Sequence, residues 1–70
     1  MRYLVVVEET STGYSAYSPD VPGCVATASS VEDVQREMGA AIAFHLESMR
    51  TEGLTPPVPH SSSVYVDVPA

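Results

Sequence analysis

The sequence predicts an α+β domain with the order βββαβ, in which one helix packs on one face of a mainly antiparallel four-stranded sheet. Two short β-rich segments joined by a glycine-containing turn predict an initial hairpin. One long stretch with apolar residues at three- and four-residue steps predicts a single helix. An alternating Val-Tyr-Val-Asp-Val segment near the last residue predicts a final strand. We therefore expect residues 1–70 to form a single domain.

The first two strands are predicted by composition and by the turn between them. Residues 2–9 are rich in β-branched and aromatic side chains, which are enriched in strands. Their apolar residues fall on both faces, which indicates burial from both sides. Residues 10–13 form a turn ending in glycine, and residues 14–18 then alternate as a second strand. These two segments are typical of a hairpin.

The remaining strands are separated by proline-rich connections. Residues 18–23 form a corner whose Pro-Gly pair suits the central positions of a type II turn. The short, small side chains of residues 24–28 predict a third strand. Residues 55–63 are rich in proline and serine, which predicts an extended crossover. It leads to a final strand over residues 63–68.

The helix is the strongest prediction and covers residues 31–52. Ser30 is suited to cap its N-terminus, and Arg50 lies near the negative end of the helix dipole. Gly53 follows as a residue suited to end the helix. Gly39 is the weak position, because glycine costs about 1 kcal/mol relative to alanine. One core-facing stripe is predicted from Val31, Val34, Met38, Ala41, Ile42, His45, Leu46 and Met49.

The predicted sheet has more apolar surface than one helix covers. A four-stranded sheet is roughly 15–20 Å wide, whereas a helix covers a strip about 10 Å across. Uncovered apolar patches drive association, so we expect a homo-oligomer (a dimer or tetramer), a protein partner, or both. Tyr14, Tyr17 and Tyr65 are the candidate interface residues, because aromatic side chains are enriched at interface cores. The alternative is that these tyrosines only complete the sheet surface.

The charge of the chain excludes one class of partner. Nine carboxylates face three arginines and no lysine, giving a net charge of −6. Nucleic-acid affinity depends largely on lysine and arginine, so we expect no direct nucleic-acid binding by this chain. A basic protein partner and an ordinary acidic cytosolic protein are equally consistent with the charge. We see no signal peptide and no segment near the ~20 apolar residues of a membrane span, so we expect a cytoplasmic protein without membrane contact.

The reactive side chains form no catalytic or metal-binding pattern. We expect Cys24 to be buried as a small hydrophobic residue, and a single thiol forms no internal disulfide. His45 has no histidine or carboxylate one turn away, so it is expected at a core or interface position. We expect His60 and the scattered carboxylates, Asp20 among them, to be solvated. The sequence therefore predicts no enzyme activity, no cofactor and no metal.

Several of these segments together resemble the HicB-like antitoxin family. The resemblance spans most of the chain, and the order and spacing of its pieces make it specific. Its most specific pieces are Pro19-Asp20-Val21-Pro22-Gly23-Cys24, Ala41-Ile42 with His45-Leu46-Glu47, and Glu52-Gly53 leading to Pro57 and Pro59.

The resemblance implies a partial RNase H-like fold in which the last strand pairs beside the first. It also implies dimers or higher oligomers that bind and neutralise a small basic HicA-type mRNA interferase toxin. An active RNase H has a metal-binding aspartate in its first strand, where residues 4–7 are all apolar here. The resemblance therefore also implies no enzyme activity. The alternative function is an orphan, self-associating domain of unknown ligand without a toxin partner.

Two departures from the family pattern limit what the resemblance implies. Ala28 stands where relatives commonly have a glycine before the helix, which affects the local turn rather than the fold. Many relatives also have a C-terminal helix-turn-helix or ribbon-helix-helix segment that binds their operator. We expect no separate DNA-binding domain here, so operator binding is not transferred. Either a separate chain supplies it, or the role is absent.

Overall fold

The computed structural model describes residues 1–69 and shows three strands followed by one helix. Strand β1 spans Val6–Glu9, β2 spans Tyr14–Tyr17, β3 spans Val25–Ala28 and helix α1 spans Val31–Thr51. The strands form one antiparallel sheet in the order β1-β2-β3, so β1 and β3 are its edges. The predicted α+β class and the predicted single helix are confirmed.

The hydrophobic core lies between α1 and one face of the sheet. Val34, Met38 and Ile42 occur at four-residue steps along α1 and are all buried. They pack with Ala16 of β2 and with Val21 of the corner that follows it. This spacing confirms that the predicted apolar stripe faces the core.

Local sequence determines both ends of α1. The backbone N–H of Asp33 donates a 3.1 Å hydrogen bond to Ser30 Oγ, which confirms the predicted N-cap. At the other end Gly53 has φ 74°, and the N–H groups of Gly53 and Leu54 donate to the carbonyl oxygens of Arg50 and Met49 in a Schellman motif. The helix ends at Thr51, one residue earlier than predicted, and Val31 at the start of the stripe is exposed. In residues 1–69 no helix is both long and apolar enough to cross a membrane.

The strands are shorter than predicted because each ends where its partner's backbone ends. β1 begins at Val6 instead of residue 2, since Tyr17, the last residue of β2, pairs with Val6. No β2 residue therefore lies opposite residues 2–5. β2 and β3 are each one residue shorter than predicted: β2 ends before the corner at Tyr17, and β3 begins after it at Val25.

The predicted strand over residues 63–68 is absent from the structure of residues 1–69, and the sheet has three strands instead of four. Alternation along a sequence shows which face of a strand is apolar. A strand also needs neighbouring backbone to receive its hydrogen bonds, and residues 63–68 are exposed and make no backbone hydrogen bond to another described strand. The RNase H-like arrangement depends on this fourth strand and stays a prediction.

Gly13 lies where the β1–β2 turn passes close to the backbone at the end of β3. A Cβ atom at Gly13 would lie 2.5 Å from the carbonyl oxygen of Ala28, a backbone atom that cannot rotate away. We expect Gly13→Ala to lower the free energy of unfolding by about 1–3 kcal/mol, measured by urea denaturation. At Gly39 a Cβ would meet no described atom within 4 Å, so Gly39→Ala should raise the free energy of unfolding by about 1 kcal/mol. Equal effects of the two substitutions would contradict this reading of Gly13.

Candidate protein-binding surface

The sheet face opposite α1 is exposed and has an apolar row across its three strands. Cross-strand pairing places Val6, Tyr17 and Val25 side by side on this face. Tyr17 is 43% exposed and Val25 is 69% exposed. The next row on the same face is polar and consists of Glu8, Ser15 and Thr27. We call these two rows the outer face.

The chain carries surplus negative charge, and one of its carboxylates, Glu8, lies in the row next to this apolar row. Two exposed ion pairs on α1, Asp33 with Arg36 and Glu47 with Arg50, use two of the three arginines. Such exposed pairs contribute roughly 0–1 kcal/mol each. Glu8 on the outer face has no salt-bridge partner in the part of the chain that the structure describes. Uncompensated carboxylates of this kind attract a basic partner and speed its approach.

The three candidate interface tyrosines lie in different environments. Tyr17 lies at the centre of the outer face, on the middle strand. Tyr14 is half-buried and packs against the core on the α1 side of the sheet. Tyr65 is fully exposed in the extended C-terminal segment. The structure therefore does not bring them together, and their role in an interface stays a prediction.

Asp20 is the polar residue whose environment the sequence interpretation missed. Its Oδ2 atom accepts hydrogen bonds from the backbone N–H groups of His60 at 3.0 Å and Ser61 at 2.9 Å. Its Oδ1 atom accepts a 2.7 Å hydrogen bond from Ser61 Oγ and contacts His60 Nδ1. The prediction of a solvated carboxylate is wrong for Asp20, which is 4% exposed. The His60 side chain is largely exposed, as predicted, but it also contacts Asp20. We call these three residues the Asp20 latch.

The latch keeps Asp20 ionised. Burial by itself raises the pKa of Asp20, but hydrogen bonds from Ser61 and His60 outweigh burial and lower the pKa from 3.8 to about 2. A folded-state pKa below the unfolded value means that ionisation stabilises the fold. This stabilisation is complete above about pH 4 and is lost as the pH falls from about 4 to about 2.

Asp20→Asn tests the latch directly, because it removes the charge and keeps the shape of the side chain. We expect faster amide hydrogen exchange at His60 and Ser61 at neutral pH. We also expect the variant to lose less stability than the wild type between about pH 4 and about pH 2, since its side chain does not titrate. Asp67→Asn removes a carboxylate from the exposed C-terminal segment and should change neither result. Unaltered exchange at both amides in Asp20→Asn would contradict the latch.

The nucleophilic and imidazole side chains lie in structural positions. Cys24 is buried, as predicted, and its Sγ atom lies 3.8 Å from the carbonyl oxygen of Ala41. Burial raises the pKa of the Cys24 thiol, which disfavours the reactive thiolate. His45 is half-buried on α1. Within residues 1–69 no three or more His, Cys, Asp or Glu side chains are grouped to hold a metal ion.

Comparison with known families identifies the group to which this fold and surface belong. A family model described as the HicB-like antitoxin of bacterial toxin-antitoxin systems matches residues 3–70. The chain belongs to the HicB-like antitoxin family. The resemblance drawn from the corner and the helix is therefore confirmed.

One relative of this HicB-like chain is a phage protein, and one is known in three dimensions. An uncharacterized 14.9 kDa protein from the rep-hol intergenic region of Haemophilus phage HP1 (strain HP1c1) is 29% identical over 69 residues. The match covers 99% of this chain and 52% of the phage protein, so the chain spans about half the length of that relative. A chain of a solved HicA3 and HicB3 toxin-antitoxin complex matches with a TM-score of 0.70 and 28% identity. That match covers 86% of this chain and 70% of the other.

Proposed function

We propose that this HicB-like chain is an antitoxin that binds and neutralises a small basic HicA-type mRNA interferase toxin. The observation that carries the proposal is the structural match to a chain of the HicA3 and HicB3 toxin-antitoxin complex, at a TM-score of 0.70. Membership of the HicB-like family over residues 3–70 supports the same role.

The outer face is the surface that we assign to the toxin. Its centre is apolar and aromatic, with Tyr17 between Val6 and Val25, and Glu8 lies in the next row. Stable interfaces commonly combine an apolar or aromatic centre with a polar rim. The net charge of −6 complements a basic partner and raises the rate of encounter. The apolar row therefore provides the contact surface for the toxin, and the negative charge of the chain speeds the approach of the basic toxin.

We propose that the chain binds its partner without catalysing a reaction and that it uses no cofactor. We also propose that it is cytoplasmic and contacts neither a membrane nor nucleic acid directly. Cys24 is buried with a raised pKa, which makes it a poor nucleophile. Residues 4–7 provide no carboxylate where an active RNase H needs one. We also assign self-association as a dimer or tetramer, in which residues 63–68 form the fourth strand of a partial RNase H-like sheet. The exposed apolar residues of that segment support this assembly.

Co-expression with a small basic HicA-type toxin tests the proposed function. We expect the chain to restore growth that the toxin alone arrests and to co-purify with the toxin. We expect the association rate to fall as salt rises, because screening weakens steering between opposite charges. Absence of both co-purification and rescue would overturn the antitoxin assignment.

An orphan, self-associating HicB-like domain is the second candidate function. The apolar outer face favours it equally, because a second copy would also cover that face. Sedimentation separates the two functions. A salt-insensitive oligomer without exposed apolar surface, which binds no basic protein, would favour the orphan domain.

A further inference from the structure

The C-terminal segment leaves the body of the domain as an unpaired, amphipathic strand. Val66 is 75% exposed, and Val64, Tyr65 and Val68 are more exposed still. In an extended chain Val64, Val66 and Val68 share one face. In the structure of residues 1–69 this apolar face is turned to solvent.

The overall dimensions show that one copy is not compact. The radius of gyration is 13.9 Å, whereas a compact chain of 70 residues has about 11 Å. The accessible surface is 5441 Å², whereas a compact monomer of 7.4 kDa exposes about 4,200 Å². The surplus of about 1,200 Å² per chain exceeds the ≈ 800 Å² that each partner buries in a standard interface.

An apolar groove runs between residues 1–5, which lead directly into β1, and helix α1. β1 pairs only with β2 in the described sheet, so its other edge has free backbone groups. The helix side of the groove is shallow because Gly39 and Ala43 have little or no side chain, and a Cβ at Gly39 would meet no described atom within 4 Å. We call this the edge groove, lined by Met1, Tyr3, Val5, Gln35, Gly39, Ile42, Ala43 and Leu46.

The chain is held next to this groove immediately before the exposed segment begins. Tyr3 Oη donates a 2.7 Å hydrogen bond to the carbonyl oxygen of Pro57, and the Asp20 latch holds His60 and Ser61. Residues 61–63 line the continuation of the same groove beside Arg2, Tyr3 and Val5. Asp20 follows β2, which is antiparallel to β1, so the latch lies at the end of the sheet where β1 begins. A segment that enters the groove from there runs parallel to β1.

We propose that residues 63–68 of one copy pair with the open edge of β1 in a second copy, and that the exchange is reciprocal. Val64, Val66 and Val68 then fill the partner's edge groove. A second copy is the occupant because residues 64–68 are exposed and do not line their own chain's edge groove, and the surplus surface of about 1,200 Å² per chain exceeds what a standard interface buries. Each copy offers one strand and one edge, so two copies close around a twofold axis and leave neither unpaired. The inference specifies the proposed self-association and rests on it, but it does not depend on toxin binding.

Two substitutions test the exchange from its two sides, each with a matched control. Val66→Asp places a carboxylate on the inserted face, and Val58→Asp makes the same change at another exposed valine. Gly39→Leu fills the groove, and Ala40→Leu adds the same side chain at an exposed position of α1. We expect light scattering to give the same oligomeric mass for the wild type and for both controls. We expect Val66→Asp and Gly39→Leu to have half of that mass. Circular dichroism should show all five proteins folded, because the altered positions are exposed in the single copy.

Isotope-filtered NMR distinguishes exchange from folding of the segment onto its own chain. Labelled and unlabelled full-length chains are unfolded, mixed and refolded together. We expect contacts between the methyl groups of Val66 in one chain and those of Val5 and Ile42 in the other. The same contacts found only within one chain would overturn the exchange.

The mass measurement also distinguishes the strand exchange from self-association in general and from toxin binding. A wild-type monomer at all concentrations would overturn both self-association and exchange. An oligomer that keeps its mass in Val66→Asp and Gly39→Leu would overturn the exchange and leave self-association intact. If the wild type is a monomer and its edge groove is filled only after the basic toxin is added, the toxin and not a second copy is the occupant of the groove. Failure of toxin binding alone would appear in the co-purification and leave these masses unchanged.

Discussion

Tyr17→Ala is expected to weaken binding of the proposed basic toxin about thirtyfold, equivalent to about 2 kcal/mol of binding free energy. Tyr17 lies on the middle strand of the outer face, between Val6 and Val25, where a bound partner would exclude water from its ring. Its exposed ring in the free chain means that the substitution removes contact area without opening the core. Isothermal titration calorimetry with the purified toxin measures the change.

Phe44→Ala is the matched control for Tyr17→Ala. Phe44 is an exposed aromatic residue on α1, the element that covers the opposite face of the sheet. Its removal should leave the Kd within about twofold of the wild-type value. Equal losses at Phe44 and Tyr17 would move the binding surface away from the outer face. No loss at Tyr17 would contradict the assigned surface.

Met38→Ala is expected to lower the free energy of unfolding by about 2–5 kcal/mol. Met38 has no exposed surface and packs between α1 and the sheet, so truncation leaves a cavity. A single hydrophobic core of this size rarely supplies more than about 3–5 kcal/mol. The variant should therefore be largely unfolded at 37 °C, as measured by circular dichroism and urea denaturation.

Met49→Ala provides the comparison for Met38→Ala. Met49 is on the same helix and is half-buried, so its truncation leaves most of the core intact. We expect less than half the loss seen for Met38→Ala. Equal losses at the two positions would mean that helix propensity, and not core packing, dominates the effect.

The sequence predicted best those features whose physical cause is local. The ends of α1 are determined by neighbouring groups: Ser30 accepts from Asp33 three residues later, and Gly53 adopts the positive φ that glycine tolerates. The Pro22-Gly23 turn is likewise local, with φ 89° at Gly23 and a hydrogen bond from Cys24 N–H to the Val21 carbonyl oxygen. Each of these features needs only a few consecutive residues, so a short window of sequence contains its cause.

Features that depend on distant partners were predicted poorly. Asp20 is buried because donors 40 and 41 residues away reach its carboxylate, and nothing near Asp20 in the sequence indicates them. Residues 63–68 alternate as a strand should, but alternation does not identify the edge that receives their hydrogen bonds. The outer face was predicted as an uncovered surface, whereas its apolar row depends on the register that aligns Val6, Tyr17 and Val25.

The Asp20 latch determines the order in which parts of the chain can fold during translation. The corner that holds Asp20 is translated long before His60 and Ser61, and chains fold from the N-terminus as they leave the ribosome. Until these residues emerge, the carboxylate has none of its three donors and must remain hydrated. The hairpin and helix can therefore assemble early, while closure of the corner waits until Ser61 has been translated. A nascent chain stalled before Ser61 would expose this unfinished corner to quality-control proteases.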